Sequence, residues 1–236
     1  MSKDRRRIAV IVAHADDEVL GCGGTLKRHA LAGDEIWTIV LADGETSRYA
    51  GSTDGDDTIR ARIAQRTAAA QQASAVLGVQ HTQVHEFPDN RLDTRPLLEI
   101  VRVVEDHIQK IRPDTVYTHH AGDVNVDHRL VHEAVITACR PGPGHPVMEL
   151  LFFETLSSTE WQPAHSAQPF LPNWFVDISA TLEHKLAALK HYDEEMRPWP
   201  HPRSYEGVEH LARWRGITVG CAAAEAFILG RRIDRA

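Results

Sequence analysis

The sequence predicts an α/β fold, a doubly wound, mostly parallel sheet with helices on both faces. Three observations carry that expectation. Apolar, β-favouring runs alternate with helix-period segments along the chain, and the first run, residues 8–13, is apolar throughout, as in a strand buried on both faces. Polar clusters also follow the strand ends, where ligands bind in open sheets. The pattern is Rossmann-like, and 236 residues without an internal repeat or low-complexity linker suit a single domain over 1–236.

The elements follow in order. After the strand at 8–13 and a charged loop, Gly21-Cys22-Gly23-Gly24 leads to Thr25, which can cap a helix over 25–32 that Gly33 closes. Residues 36–41 read as a second strand. Asp43-Gly44-Glu45 then turns into a polar loop reaching Asp57, of a length usually reserved for function. The Ala-, Gln- and Arg-rich stretch 58–77 is helical by propensity, with Gly78 as its stop. A third strand falls at 83–87. Leu97, Ile100, Val101, Val104 and Ile108 recur at helical spacing over 96–111, and Arg112-Pro113-Asp114 ends that helix before a fourth strand at 115–118. A helix over 127–139 precedes strands at 149–154 and 174–178, joined by a Pro- and Ser-rich loop. Helices at 182–192 and 205–214 and a short strand at 223–227 complete the chain.

Composition narrows the function classes. Lys and Arg number 26 against 33 Asp and Glu, a net charge of −7, so a nucleic acid has no overall electrostatic reason to bind. Cys22, Cys139 and Cys221 are odd in number and widely spaced, which fits reduced thiols in a cytoplasmic setting. No apolar run approaches the 18 or so residues of a membrane span, and no signal peptide is visible. The expectation is a soluble, cytoplasmic chain with a small-molecule partner, and a homo-oligomer is compatible with it. Histidine is the unusual count: 15 residues, a type that ligates metals and moves protons near neutral pH.

Three polar clusters fall at strand ends: His14-Ala15-Asp16-Asp17-Glu18, Asp43-Gly44-Glu45, and His119-His120-Ala121-Gly122-Asp123-Val124-Asn125-Val126-Asp127-His128. If the first and fourth strands are neighbours, one imidazole and one carboxylate from the first loop meet one imidazole from the last. Three ligands with an open position are the count of a hydrolytic zinc site. Three consecutive acids after a fully apolar strand also repel one another unless a cation compensates them.

Ala13-His14-Ala15-Asp16-Asp17-Glu18, continuing as Leu20-Gly21-Cys22-Gly23-Gly24-Thr25, resembles the AHPDDE…GxGGT signature of the PIG-L/LmbE-like zinc N-deacetylases, and Asn125-Val126-Asp127-His128 is similar to that family's HPDH motif. Phe87-Pro88-Asp89-Asn90-Arg91 and His201-Pro202-Arg203-Ser204 extend the likeness. The resemblance implies Zn²⁺ held by His14, Asp17 and His128, with Asp16 as general base in removing an N-acetyl group from an amino sugar or glycoconjugate. Fe²⁺ or another divalent ion suits the same mixed ligand set. Two positions depart from the pattern: Ala15 replaces a proline, and Asn125 stands where many members carry a histidine. Either Asn125 supplies the electrostatic part of that role, or His119 or His120 supplies the imidazole, with His120 preferred.

Glu18, Asp43, Asp89, Arg91 and Asp123 lie in loops that can face the same cleft, and carboxylates with an arginine suit a sugar. Each also reads as a cap, a turn or a surface ion pair. His132, four residues after His128, reads as packing, because the HExxH order is absent. His201 is a further candidate for the cleft rim. Two other functions compete. A nucleotide-cofactor oxidoreductase would use the glycine-rich turn, although Gly21 to Leu26 fails G-x-G-x-x-G at its last position. A metal-dependent glycan-binding protein that has lost turnover would explain Asn125.

Overall fold

The alternation of strands and helices becomes one seven-stranded sheet in the computed structural model, which describes residues 5–49, 56–163 and 165–234. The chain runs β1 (Arg7–Val12), α1 (Asp17–Leu31), β2 (Glu35–Ala42), α2 (Asp56–Leu77), β3 (His81–Phe87), α3 (Leu97–Ile111), β4 (Thr115–His119), α4 (Val126–Ala138), β5 (Glu149–Phe153), β6 (Trp174–Asp177), α5 (Leu182–Leu189), α6 (Tyr205–Ile217) and β7 (Ala224–Arg232). The strand order is β3-β2-β1-β4-β5-β7-β6. Every pairing from β3 to β5 is parallel, whereas β7 runs antiparallel to both β5 and β6.

The apolar run at the start does what its composition requires. Successive side chains of a strand point to opposite faces, so Ile8, Val10 and Val12 join the core beneath α1, α2 and α5, while Ala9, Ile11 and Ala13 join the core beneath α3 and α4. With apolar layers on both sides, β1 is held at the centre and its end is fixed in depth and direction. The chain order reverses between β1 and β4, which places a crevice beyond their carboxyl ends.

Several elements differ from the sequence expectation. The first helix starts at Asp17, eight residues before Thr25, and runs through the glycine-rich segment with one break at Cys22 (φ −148°, ψ 20°). Propensity argues against a helix there, but tertiary contacts require small residues: a Cβ at Gly21 would meet the Phe153 ring at 2.2 Å, and one at Gly24 would meet Ile178 at 2.8 Å. At the break, the N–H groups of Gly24 and Thr25 donate to the Glu225 carboxylate at 2.9 and 2.7 Å, and Lys185 neutralises that acid at 2.7 Å. The chain's own carboxylate thus occupies the N–H groups of the glycine-rich segment that a nucleotide phosphate would use.

The last strand is nine residues long rather than five, because Arg232 and Arg231 continue the pairing opposite Glu149 and Leu150. The helix expected over 182–192 stops at Leu189 and tightens into a 3-10 segment, Lys190–Glu195. Part of the polar loop expected up to Asp57 forms a 3-10 turn, Thr46–Tyr49, and residues 50–55 lie outside the described residues. Among the described residues no helix is long and apolar enough to cross a membrane.

Candidate metal centre and active site

The loops after β1 and β4 converge, and a helix N-terminus fixes each. His14 leaves the end of β1, and its backbone N–H donates to Asp17 Oδ2 at 2.8 Å, closing the turn that starts α1. On the other side Asn125 caps α4, its Oδ1 accepting the N–H groups of Asp127 (2.8 Å) and His128 (3.4 Å). That cap places His128 in the first turn of α4, facing α1.

One oxygen, Asp17 Oδ2, lies 3.4 Å from His14 Nδ1 and 3.4 Å from His128 Nε2. One ligand atom from each of these three buried residues lies within 4.8 Å of the others, a spacing that could hold a cation. The second nitrogen of each imidazole is committed to a carboxylate. His14 Nε2 lies 3.1 Å from Asp127 and 3.2 Å from Asp89, and His128 Nδ1 lies 3.2 Å from Asp123. Such outer contacts set the tautomer and aim the free nitrogen at a metal. Asp17 Oδ1 is buried and has no hydrogen-bond partner among the described residues, which costs free energy unless something outside the chain satisfies it.

The electrostatics point the same way. Burial alone would push both imidazoles toward neutrality, yet Asp127, Asp17 and Asp89 hold His14 well above its ordinary value, and Asp17 with Asp123 lifts His128 to about 9. Burial opposes the charge on Asp17 as well, but the charged His128 beside it pulls it well below the usual carboxylate range. The cluster carries a surplus of carboxylate that recruits positive charge, a demand that a divalent cation would meet. His119 forms its floor: it is fully buried, its ring stacks on His128 at 3.9 Å, and its Nε2 accepts the Ala13 N–H at 3.0 Å. Burial, then the neighbouring His128, keeps His119 neutral. His132 donates from Nδ1 to the His119 carbonyl at 2.9 Å, the supporting role its position suggests.

Asp16 sits beside this cluster with a φ of 127°, a conformation that L side chains rarely adopt. Backbone strain of this kind costs on the order of 1–3 kcal/mol and persists only where the surroundings enforce it. They do so here. Glu18 Oε2 accepts the Asp16 N–H at 3.1 Å, Tyr192 donates its hydroxyl to Glu18 Oε1 at 2.6 Å, and Arg203 Nη1 donates to Asp16 Oδ2 at 3.0 Å. Burial raises the Asp16 pKa, Arg203 lowers it, and Asp17 raises it again, leaving it above the usual value. Burial likewise takes Glu18 up to about 7, against the pull of the Tyr192 hydroxyl.

The remaining residues picked from the sequence divide into two groups. Asp89, held near 2 by His14, and Asp123 contact the imidazoles of His14 and His128 directly, and Asp123 also accepts hydroxyl bonds from Ser158 and from Thr159 (2.7 Å). Asp43 Oδ1 is occupied by the N–H groups of Glu45 and Thr46 and by the Thr46 hydroxyl. Arg91 is exposed. His120 is buried with its contacts directed elsewhere, donating to the Gln168 carbonyl at 2.8 Å and packing edge-on against Phe170, so the structure does not bring it into the cluster. Asn125 Nδ2 donates to Asn90 Oδ1 at 3.0 Å.

Arg203 and Tyr192 were given no role by sequence reasoning, and the only signal available for Arg203 was its place in His201-Pro202-Arg203-Ser204. Asp127 stood in a recognised motif without an assigned contact; here it joins His14 to the loop after β3, its other oxygen accepting the Leu92 N–H at 3.0 Å.

Comparison with known proteins gives a consistent picture. A family model described as PIG-L: GlcNAc-PI de-N-acetylase matches residues 9–139, which include every residue of the cation cluster. The chain is 32% identical over 192 residues, 79% of its length and 90% of the relative's, to the uncharacterized deacetylase YaiS of Escherichia coli K12. It is 28% identical over 206 residues, 81% and 71% of the two lengths, to the diacetylchitobiose deacetylase of Thermococcus kodakarensis. Among solved structures, the N,N'-diacetylchitobiose deacetylase of Pyrococcus horikoshii superposes with a TM-score of 0.75 at 22% identity, covering 97% of this chain and 85% of that one. GalB, a 4-carboxy-2-hydroxymuconate hydratase of Pseudomonas putida, superposes with a TM-score of 0.76 at 20% identity, covering 98% and 99%. The fold therefore does not select the reaction by itself.

Proposed function

The chain belongs to the family described as PIG-L: GlcNAc-PI de-N-acetylase, and from that premise we propose that it hydrolyses the N-acetyl amide of an amino sugar or glycoconjugate, releasing acetate and a free amine. The observation that carries this reading is the placement of Asp16, strained and paired with Arg203, beside the His14, Asp17 and His128 group. The sequence relatives named for deacetylation support this chemistry over hydration.

The ligand set fits Zn²⁺, with two imidazoles, one carboxylate and an orphaned carboxylate oxygen pointing to a site that needs a cation. A bound divalent cation supplies Lewis acidity, bringing the pKa of water toward about 7 and polarising a carbonyl. Asp16 takes the proton from the attacking water and returns it to the departing amine, and its raised pKa brings it closer to neutral pH, where such a shuttle works best. Arg203 holds one Asp16 oxygen and leaves the other for the proton. Asn125, whose second amide hydrogen is not used by the bond to Asn90, donates to the oxygen on which negative charge develops; one such donor is worth about 10² to 10³ in rate. Asp123 and Asp127 keep the two imidazoles aimed.

The test is acetate release from N-acetylglucosamine and N,N'-diacetylchitobiose by purified protein, with and without a chelator and after Zn²⁺ is restored. Release that a chelator abolishes and Zn²⁺ restores is the expected result. Release indifferent to the chelator contradicts the reading.

A further inference from the structure

We propose that the amino end of the sheet carries a second ligand site, which binds a planar heteroaromatic ring bearing a phosphate, of the size of a nucleoside monophosphate. The site is a cavity of about 340 Å³, within the range of small-molecule pockets. Thr25, Arg28 and His29 of α1 line one side, and Tyr117, Leu151, Trp174 and Val176, which pack in one apolar cluster, line the other. Further lining residues fix its position: Arg6 precedes β1, Asp34 precedes β2, and Glu149 and Trp174 begin β5 and β6. The cavity therefore lies at the opposite end of the parallel strands from the crevice, and it shares no residue with the His14, Asp17 and His128 group. A doubly wound sheet ordinarily takes a nucleotide at its carboxyl end, so this is a separate place.

The charges around the cavity are unevenly spent. Arg6 donates to the Thr115 hydroxyl and, at 2.5 Å, to Glu149. Asp34 accepts the Arg6 N–H at 3.2 Å and the His29 Nδ1–H at 2.7 Å, and His29 Nε2 accepts the Tyr117 hydroxyl at 3.0 Å. Burial keeps His29 below its ordinary value, so it adds no charge near neutral pH. Arg28 and Arg232 are left with donors to spare: Arg28 donates to the Asp177 carbonyl at 2.9 Å through one nitrogen, and Arg232 lies 3.7 Å from Glu149 and 6.0 Å from the centre of the Trp174 ring. Arg6, Arg28 and Arg232 outnumber Asp34 and Glu149, a positive surplus on a chain of net charge −7, and guanidinium groups are the usual partners of phosphate oxygens. The half-buried Trp174 indole supplies a surface on which a base can stack. A polar partner is wanted as well: Thr25 Oγ1 is buried and has no hydrogen-bond partner among the described residues, a cost that a ligand hydroxyl or ring nitrogen removes. Anion, flat ring and hydrogen-bonding groups together describe a phosphorylated nucleoside.

Calorimetric titration of AMP, adenosine and inorganic phosphate into the full-length protein, as wild type, Arg28→Met and Trp174→Ala, tests the site, with each titration repeated in the presence of a chelator. Wild type binds AMP with a Kd on the order of 10–100 µM, and adenosine and phosphate at least about tenfold more weakly. Arg28→Met and Trp174→Ala each weaken AMP about tenfold, and the chelator changes nothing. Arg28 is exposed, so its variant decides the matter even if Trp174→Ala fails to fold. No saturable AMP binding up to about 1 mM, or an unchanged affinity in Arg28→Met, overturns the site. Phosphate bound as tightly as AMP overturns the part given to the ring, and AMP binding that the chelator abolishes moves the ligand to the metal centre and overturns the proposal.

Discussion

Tyr192 donates its hydroxyl to Glu18 across 2.6 Å and 174 positions of sequence, and the same carboxylate accepts the backbone N–H of Asp16. The 3-10 segment after α5 thereby clamps the strained residue proposed as the general base. Tyr192→Phe is expected to lower kcat about tenfold while leaving KM and metal content unchanged, because the ring still packs and only the bond to Glu18 is lost. Steady-state kinetics alongside metal analysis checks this, and a change confined to thermal stability would assign the bond a purely structural role.

Arg203 is the cation on Asp16, and its removal has a predictable sign. Burial and Asp17 already raise the Asp16 pKa, and Arg203 opposes them. Without the guanidinium the carboxylate protonates at higher pH, so the acidic limb of the kcat profile of Arg203→Met shifts upward and part of the lost rate returns as pH rises. A profile that falls uniformly at all pH values would place Arg203 on the substrate instead.

Asp123 aims His128 through a 3.2 Å contact and is itself fixed by Ser158 and Thr159. Asp123→Asn should weaken metal affinity by about 10- to 100-fold, the usual cost of losing an outer-shell partner. Chelator competition measures it directly, and Ser158→Ala should show a smaller loss of the same kind.

The residues that converge in the candidate cation cluster were readable because two short motifs sit at the ends of apolar strands, and strand ends in a doubly wound sheet have one place to go. What stayed hidden is non-local. Arg203 reaches Asp16 across 187 positions, and Glu225 meets the Gly24 and Thr25 N–H groups across 201 and 200, so no local pattern announces either. The start of α1 was hidden for a related reason: glycine-rich sequence argues against helix until Phe153 and Ile178 are seen pressing on it. Asp43 and Glu18 have the chemistry of sugar-binding acids, yet they bond within the chain, to a turn and to the Asp16 backbone.

His85 and His107 join β3 to α3 through nitrogens 2.8 Å apart. Burial, with His85 beside it, takes His107 down to about 4, below the 6.5 or so of an unfolded chain. The unfolded state then binds more protons between those values, so stability is full above pH 6.5 and declines as pH falls toward 4, by on the order of 2 kcal/mol. Denaturant titrations across that range should show the slope in wild type and a flatter one in His107→Gln.

Asp16→Asn tests the proposed base most directly when acetate release and bound metal are measured on the same preparation. The expected result is one divalent ion per chain in both proteins and release from N,N'-diacetylchitobiose at least about 10² slower in the variant. Turnover within a few-fold of wild type in an Asp16→Asn protein that retains its ion would contradict it.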